Sequence, residues 1–100
     1  MYLTVLNLYL ISADPSYFIE SSAIILANSD IKYTETLWNN YNNIRSPYAK
    51  SVACVIIGDK FLKDSEEFLY NEFLSFKQKY PFETYHEAPL FMIYTINDEY

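Results

Sequence analysis

One hundred residues, 51% of them hydrophobic and 19% aromatic, supply enough apolar surface for one buried core, too little chain for two, and exclude a disordered polymer. Thirteen acidic against seven basic side chains give a net charge of −6. That excludes the clustered Lys and Arg that grip a phosphate backbone, so no nucleic-acid partner is expected. The longest apolar runs, Val52 to Ile57 and Leu90 to Ile96, are far shorter than the ~20 residues of a membrane-spanning helix, and no membrane partner is expected.

No basic region precedes the apolar stretch that follows Met1, and no small-residue cleavage site comes after it. This reads as a chain without a secretory signal, placed in the cytoplasm. The single cysteine, Cys54, has no partner for an intramolecular disulfide or a cysteine-rich metal site, in keeping with a reducing compartment. Neither cofactor nor metal is expected. One glycine does not make a phosphate-binding loop, and one histidine, one cysteine and scattered carboxylates match no ligand spacing.

Tyr2 to Ser12 reads as a first strand, apolar on both faces because Leu3, Val5 and Ile11 alternate with Leu6, Leu8 and Leu10. Asp14-Pro15 then predicts a helix start, with the carboxylate accepting first-turn amides and proline in the first helical position. Tyr17, Phe18, Ser21, Ile24 and Ile25 carry that helix through Leu26, and Asn28-Ser29-Asp30 stops it. Ile31 to Trp38 alternates with period two and predicts a second strand near a sheet edge. Asn39 to Pro47 is an asparagine-rich loop. Ser51 to Gly58, rich in β-branched residues, predicts the third strand. Asp64 with Glu67 three residues on resembles a capping box, and Leu69, Phe73, Phe76 and Tyr80 form the apolar stripe of a second helix that Pro81 ends. Leu90 to Ile96 predicts the last strand.

Strand, helix, strand, strand, helix, strand over residues 1–100 is the order of a single ferredoxin-like α+β domain, βαββαβ. It implies a four-stranded antiparallel sheet with both helices on one face. Because three strands are apolar on both faces, the uncovered face is expected to pair with a second copy, giving a homodimer.

His86 is the one side chain whose ordinary pKa lies near neutrality, so acid–base chemistry would look to it first, with Glu83 or Glu87 orienting the ring. In a polar connection from Pro81 to Pro89 it reads more simply as an exposed residue. Cys54, between Ala53 and Val55, reads as core filler with an inert thiol. Trp38, Tyr41, Arg45 and Tyr48, interspersed with four asparagines, have the composition of a ligand or partner surface; the alternative is a loop whose aromatics cover the sheet edge.

Phe82-Glu83-Thr84-Tyr85-His86-Glu87, followed by an apolar segment and Asn97-Asp98-Glu99-Tyr100, resembles the ending of the darcynin-like proteins, a ferredoxin-like group related to the dimeric α+β barrels. Ser12-Ala13-Asp14-Pro15-Ser16-Tyr17 is similar in placement to their proline-aromatic helix entry, whereas Ile57-Gly58 stands where they tend to show a tryptophan-acidic pair. The resemblance implies a homodimer packed sheet against sheet. It implies no single activity, since the relatives range from small monooxygenases and isomerases to proteins without known chemistry.

Three functions are compatible with these features. One is a small acidic dimeric domain acting by protein–protein interaction or small-ligand binding. Another is a cofactor-free enzyme of the dimeric α+β barrel type, with an aromatic-lined pocket reached by His86. The third is an acidic inhibitor protein occupying a basic surface of a larger complex.

Overall fold

Ser46 and Pro47 open the longest element among the described residues. The Ser46 hydroxyl accepts a hydrogen bond from the Ala49 amide at 3.1 Å, and Pro47 stands at the first helical position, where its missing N–H costs nothing. The result is a fifteen-residue helix, Pro47–Phe61, over the segment expected to hold the third strand. A computed structural model of the chain describes Val5, Tyr9 and residues 17–99, and every regular element among them is helical. These elements are α1 (Tyr17–Ala27), α2 (Ile31–Asn39), α3 (Pro47–Phe61), α4 (Glu66–Lys79) and α5 (Glu87–Glu99), with 3₁₀ turns at Tyr41–Asn43 and Leu62–Ser65. The ferredoxin-like α+β fold is therefore corrected to a helical bundle.

Each overturned strand has a local cause. In the second, Asp30 does not only stop α1: its carboxylate accepts from the Lys32 amide at 3.0 Å and starts α2. Thr34, Leu37 and Tyr41 are buried at helical spacing there. An eight-residue run satisfies periods of two and 3.6 about equally, and the cap decides between them. In α3 the buried positions include Ala49, Ala53, Ile56 and Ile57, so burial on a helical face overrides the modest helix cost of β-branched residues. Pro89, just ahead of the expected last strand, sits in the first turn of α5, where amides have no intrahelical acceptor, and Met92 and Ile96 bury the core side of that helix. Of the first expected strand, Val5 and Tyr9 are described and both are helical; the rest of it, and the Asp14-Pro15 helix start, lie outside the described residues.

The two expected helices do form. α1 ends at Ala27, and α4 presents Leu69 and Phe76 to the core with Tyr80 as its C-cap before Pro81. The expected cap is corrected: Asp64 is exposed within the 3₁₀ turn, and Ser65, which precedes α4, turns its hydroxyl back to the Leu62 carbonyl at 2.8 Å.

α5 packs against both α3 and α4, while α1 and α2 pack on α3. With no strand among the described residues, the sheet face expected to join two copies has no counterpart there. No helix among the described residues is long and apolar enough to cross a membrane.

Candidate functional site

The four residues expected to form a binding loop are dispersed. Trp38, on the last turn of α2, is half-buried, with its ring 5.1 Å from that of Phe61 and 5.5 Å from that of Phe68. Tyr48 reaches back to α1, donating its hydroxyl to Glu20 Oε1 at 3.0 Å. Arg45 is exposed. Tyr41 is buried at the start of the 3₁₀ turn, edge-on to Phe68 at 4.9 Å. Trp38 and Tyr41 thus meet through Phe68 and pack between α2, α3 and α4, while Tyr48 turns to α1 and Arg45 to solvent.

Tyr41 is nonetheless the centre of a polar cluster. Its hydroxyl donates to Glu72 Oε1 on α4 at 2.7 Å and lies 3.7 Å from Cys54 Sγ on α3. The Lys50 ammonium stands 5.4 Å from the centre of its ring, within cation–π range. Burial first, and then the neighbouring Cys54 and Glu72, push the Tyr41 hydroxyl far above the ordinary tyrosine value. Burial likewise pushes the Cys54 thiol up to about 12, so it stays protonated and unreactive as expected. Tyr9 is fully buried, donates to the Ala49 carbonyl and has its pKa raised, mainly by burial.

Beside this cluster lies a small cavity of about 90 Å³, lined by Asn42, Lys50, Glu72, Ser75, Lys79 and Tyr80 among others. A wider, open trough of about 470 Å³ runs past Ile31, Phe61 and Leu62, where α3 ends with Leu62 at φ 20°. Neither space includes His86.

His86 differs from its expected exposure. It is half-buried just ahead of α5, its ring centre 6.0 Å from that of Phe73, and its Nδ1 is enclosed without a hydrogen-bond partner among the described residues. An aromatic-lined enzyme pocket would draw on Tyr9, Tyr33 or Phe91, of which Tyr9 is fully buried, Tyr33 half-buried and Phe91 64% exposed, and none lines either space. Among the described residues no three His, Cys, Asp or Glu side chains are grouped as metal ligands.

A different surface stands out. Tyr70 and Leu74 on α4, and Phe91 and Tyr94 on α5, are all about half exposed or more. The two helices form an antiparallel hairpin: Asn97 Nδ2, late in α5, donates to Glu66 Oε2 at the start of α4 at 3.0 Å, while His86, just ahead of α5, meets Phe73 midway along α4. That register sets Tyr94 near the level of Tyr70. Sequence reading missed this surface because it followed only the core stripe from Leu69 to Tyr80. The signal was present in Glu67, Tyr70, Leu74 and Lys77, a second stripe at i, i+3, i+7 and i+10.

No family model, curated protein or solved structure matches the chain. The class defined by its fold and surfaces is that of a small helical bundle.

Proposed function

We propose that the protein is a small acidic interaction module that works as a homodimer, joined through the outer face of the α4–α5 hairpin. The observation that carries this reading is the stripe Glu67, Tyr70, Leu74 and Lys77, all solvent-exposed. At 100° per residue the four positions fall within an arc of roughly 80°, one face of the helix. They are also symmetric about position 72, with Tyr70 and Leu74 two residues to either side and Glu67 and Lys77 five.

Two α4 helices crossing antiparallel at that level, related by a twofold axis, set Tyr70 of each against the partner's Leu74. The same operation sets each Glu67 against the partner's Lys77, opposite charges at both ends of the seam. Burial of the Tyr and Leu side chains supplies the attraction. The rim charges, worth roughly 0.2–1 kcal/mol each as exposed pairs, fix the direction. Tyr94 widens the apolar strip on the α5 side. A cytoplasmic setting belongs to the same proposal and is supported by the free, buried thiol of Cys54.

Light scattering near 50 μM tests the assembly. The expected mass is twice the 11.8 kDa of one chain. Lys77→Glu, which sets like charges opposite each other, yields monomer, and the double variant Glu67→Lys/Lys77→Glu restores the dimer. A wild-type monomer, or a dimer indifferent to Lys77→Glu, overturns the proposal.

A further inference from the structure

The chain carries only seven basic side chains against thirteen acidic ones, yet two of them, Lys50 and Lys79, line one small cavity from helices far apart in sequence. Among the described residues neither has a carboxylate oxygen within ion-pair distance. Two lysines against the one carboxylate of Glu72 leave the lining net positive at the surface of an acidic protein. It also gathers hydrogen-bonding groups from three elements. Asn42 comes from the 3₁₀ turn, Lys50 from the first turn of α3, and Glu72, Ser75 and Lys79 from one face of α4 at i, i+3 and i+7.

Glu72 sets the chemistry further. One oxygen, Oε1, is engaged by the Tyr41 hydroxyl, and the other has no protein donor among the described residues. Glu72 is half-buried and a carboxylate oxygen is an acceptor only, so a ligand seated beside it competes with water best by bringing a proton to it. Two ammonium groups call for an anion, and the carboxylate calls for an anion that still carries an O–H. With liquid water occupying about 30 Å³ per molecule, a space of this size suits one small oxyanion and excludes a nucleotide.

We infer that the Lys50–Glu72–Lys79 cavity is a binding site for hydrogen phosphate, free or as the singly protonated head of a small phosphate monoester. Lysine ammonium groups meet the anionic oxygens as point charges, and Ser75 and Asn42 donate to them. The P–OH donates to Glu72. Sulfate has the same shape but carries no proton at neutral pH, so it places a bare oxygen against the carboxylate and is rejected.

The test is titration of the isotopically labelled full chain near pH 6.5 with inorganic phosphate, sodium sulfate and glycerol 2-phosphate in turn, following backbone amide shifts. Saturable shifts at Asn42, Lys50, Ser75 and Lys79 with phosphate, at least tenfold weaker with sulfate and lost in Lys50→Met/Lys79→Met, are expected. Tighter binding of glycerol 2-phosphate than of phosphate identifies a monoester ligand, and weaker binding identifies the free ion. Absence of saturation with both phosphate compounds overturns the inference, as does equal binding of sulfate. If the lysine variant loses its fold, Glu72→Gln gives the second test. An amide donates as well as accepts, so this variant should admit sulfate, and unchanged discrimination overturns the role of Glu72. The readout is independent of dimer formation, because the cavity faces α3 and not the hairpin's outer stripe.

Discussion

Gly58 on α3 and Met92 on α5 meet at the limit of van der Waals contact: a Cβ on Gly58 would stand 3.0 Å from Met92 Cε, 3.1 Å from its Cβ and 3.2 Å from its Cγ. The only glycine of the chain therefore stands where a side chain would press on Met92, which explains a glycine inside a helix, where it costs roughly 0.5–1 kcal/mol relative to alanine.

Gly58→Ala gains that helix propensity but must move the helices apart, because Met92 Cε can rotate away and Met92 Cβ cannot. Overpacking costs about 1–3 kcal/mol, so a net loss of about 1 kcal/mol is expected in urea denaturation. The Met92→Ala change should relieve part of it in a double-mutant cycle. A gain in stability for Gly58→Ala alone would show that the helices are not in contact there.

The helix starts give a paired expectation. Ser46→Ala removes the acceptor for the Ala49 amide and should cost about 0.5–2 kcal/mol. Asp64→Ala removes an exposed carboxylate that caps nothing and should change stability by under about 0.5 kcal/mol. Denaturation midpoints showing the reverse order would restore the capping box read from sequence.

The contrast between these two sites shows what the sequence could disclose. α1 and α4 were legible because their apolar residues recur over three turns, a length at which only period 3.6 fits. α2, α3 and α5 were misread because Ile31 to Trp38, Ser51 to Gly58 and Leu90 to Ile96 are short apolar windows. The caps that settle the first two lie just outside those windows, Asp30 where the sequence reads as the stop of α1 and Ser46-Pro47 where it reads as loop. Tyr41 was singled out for its surface-binding composition, yet its importance comes from burial against Cys54 and Glu72, residues 13 and 31 positions away. Spacing along the chain carries no record of that proximity.

Stability should fall at alkaline pH. The hydroxyls of Tyr9 and Tyr41 and the thiol of Cys54 all have folded pKa values raised above their ordinary 10 and 9. Below about pH 8 all three are protonated in both states and their contribution is intact; the thiol's share begins to fall first and those of the tyrosines follow near pH 10. As the pH rises further, the unfolded chain releases protons that the folded chain retains, and stability is lost at up to about 1.4 kcal/mol per pH unit for each group. Tyr41→Phe removes one such group. Its urea midpoint should lie below wild type near pH 7, through loss of the bond to Glu72, and decline less steeply between about pH 9.5 and 11. Parallel declines would mean that Tyr41 titrates while folded as it does when unfolded.

The Nδ1 of His86 is enclosed beside Phe73 without a hydrogen-bond partner among the described residues, and a buried polar atom without a partner costs roughly 1–3 kcal/mol. His86→Phe keeps the ring and removes that atom, so thermal unfolding near pH 8 should show a gain of about 1 kcal/mol. A loss of that size instead would mean that the imidazole has a polar task.

The dimer through the α4–α5 hairpin is tested most directly by isotope-filtered NOE spectroscopy on an equal mixture of labelled and unlabelled chains, which reports only protons facing each other across the interface. Intermolecular cross-peaks between the Tyr70 ring and the Leu74 methyls, with weaker ones to Tyr94, are the expected result. Cross-peaks confined to other exposed apolar residues such as Ile24 and Ile31, or none at a concentration where scattering finds a dimer, would contradict it.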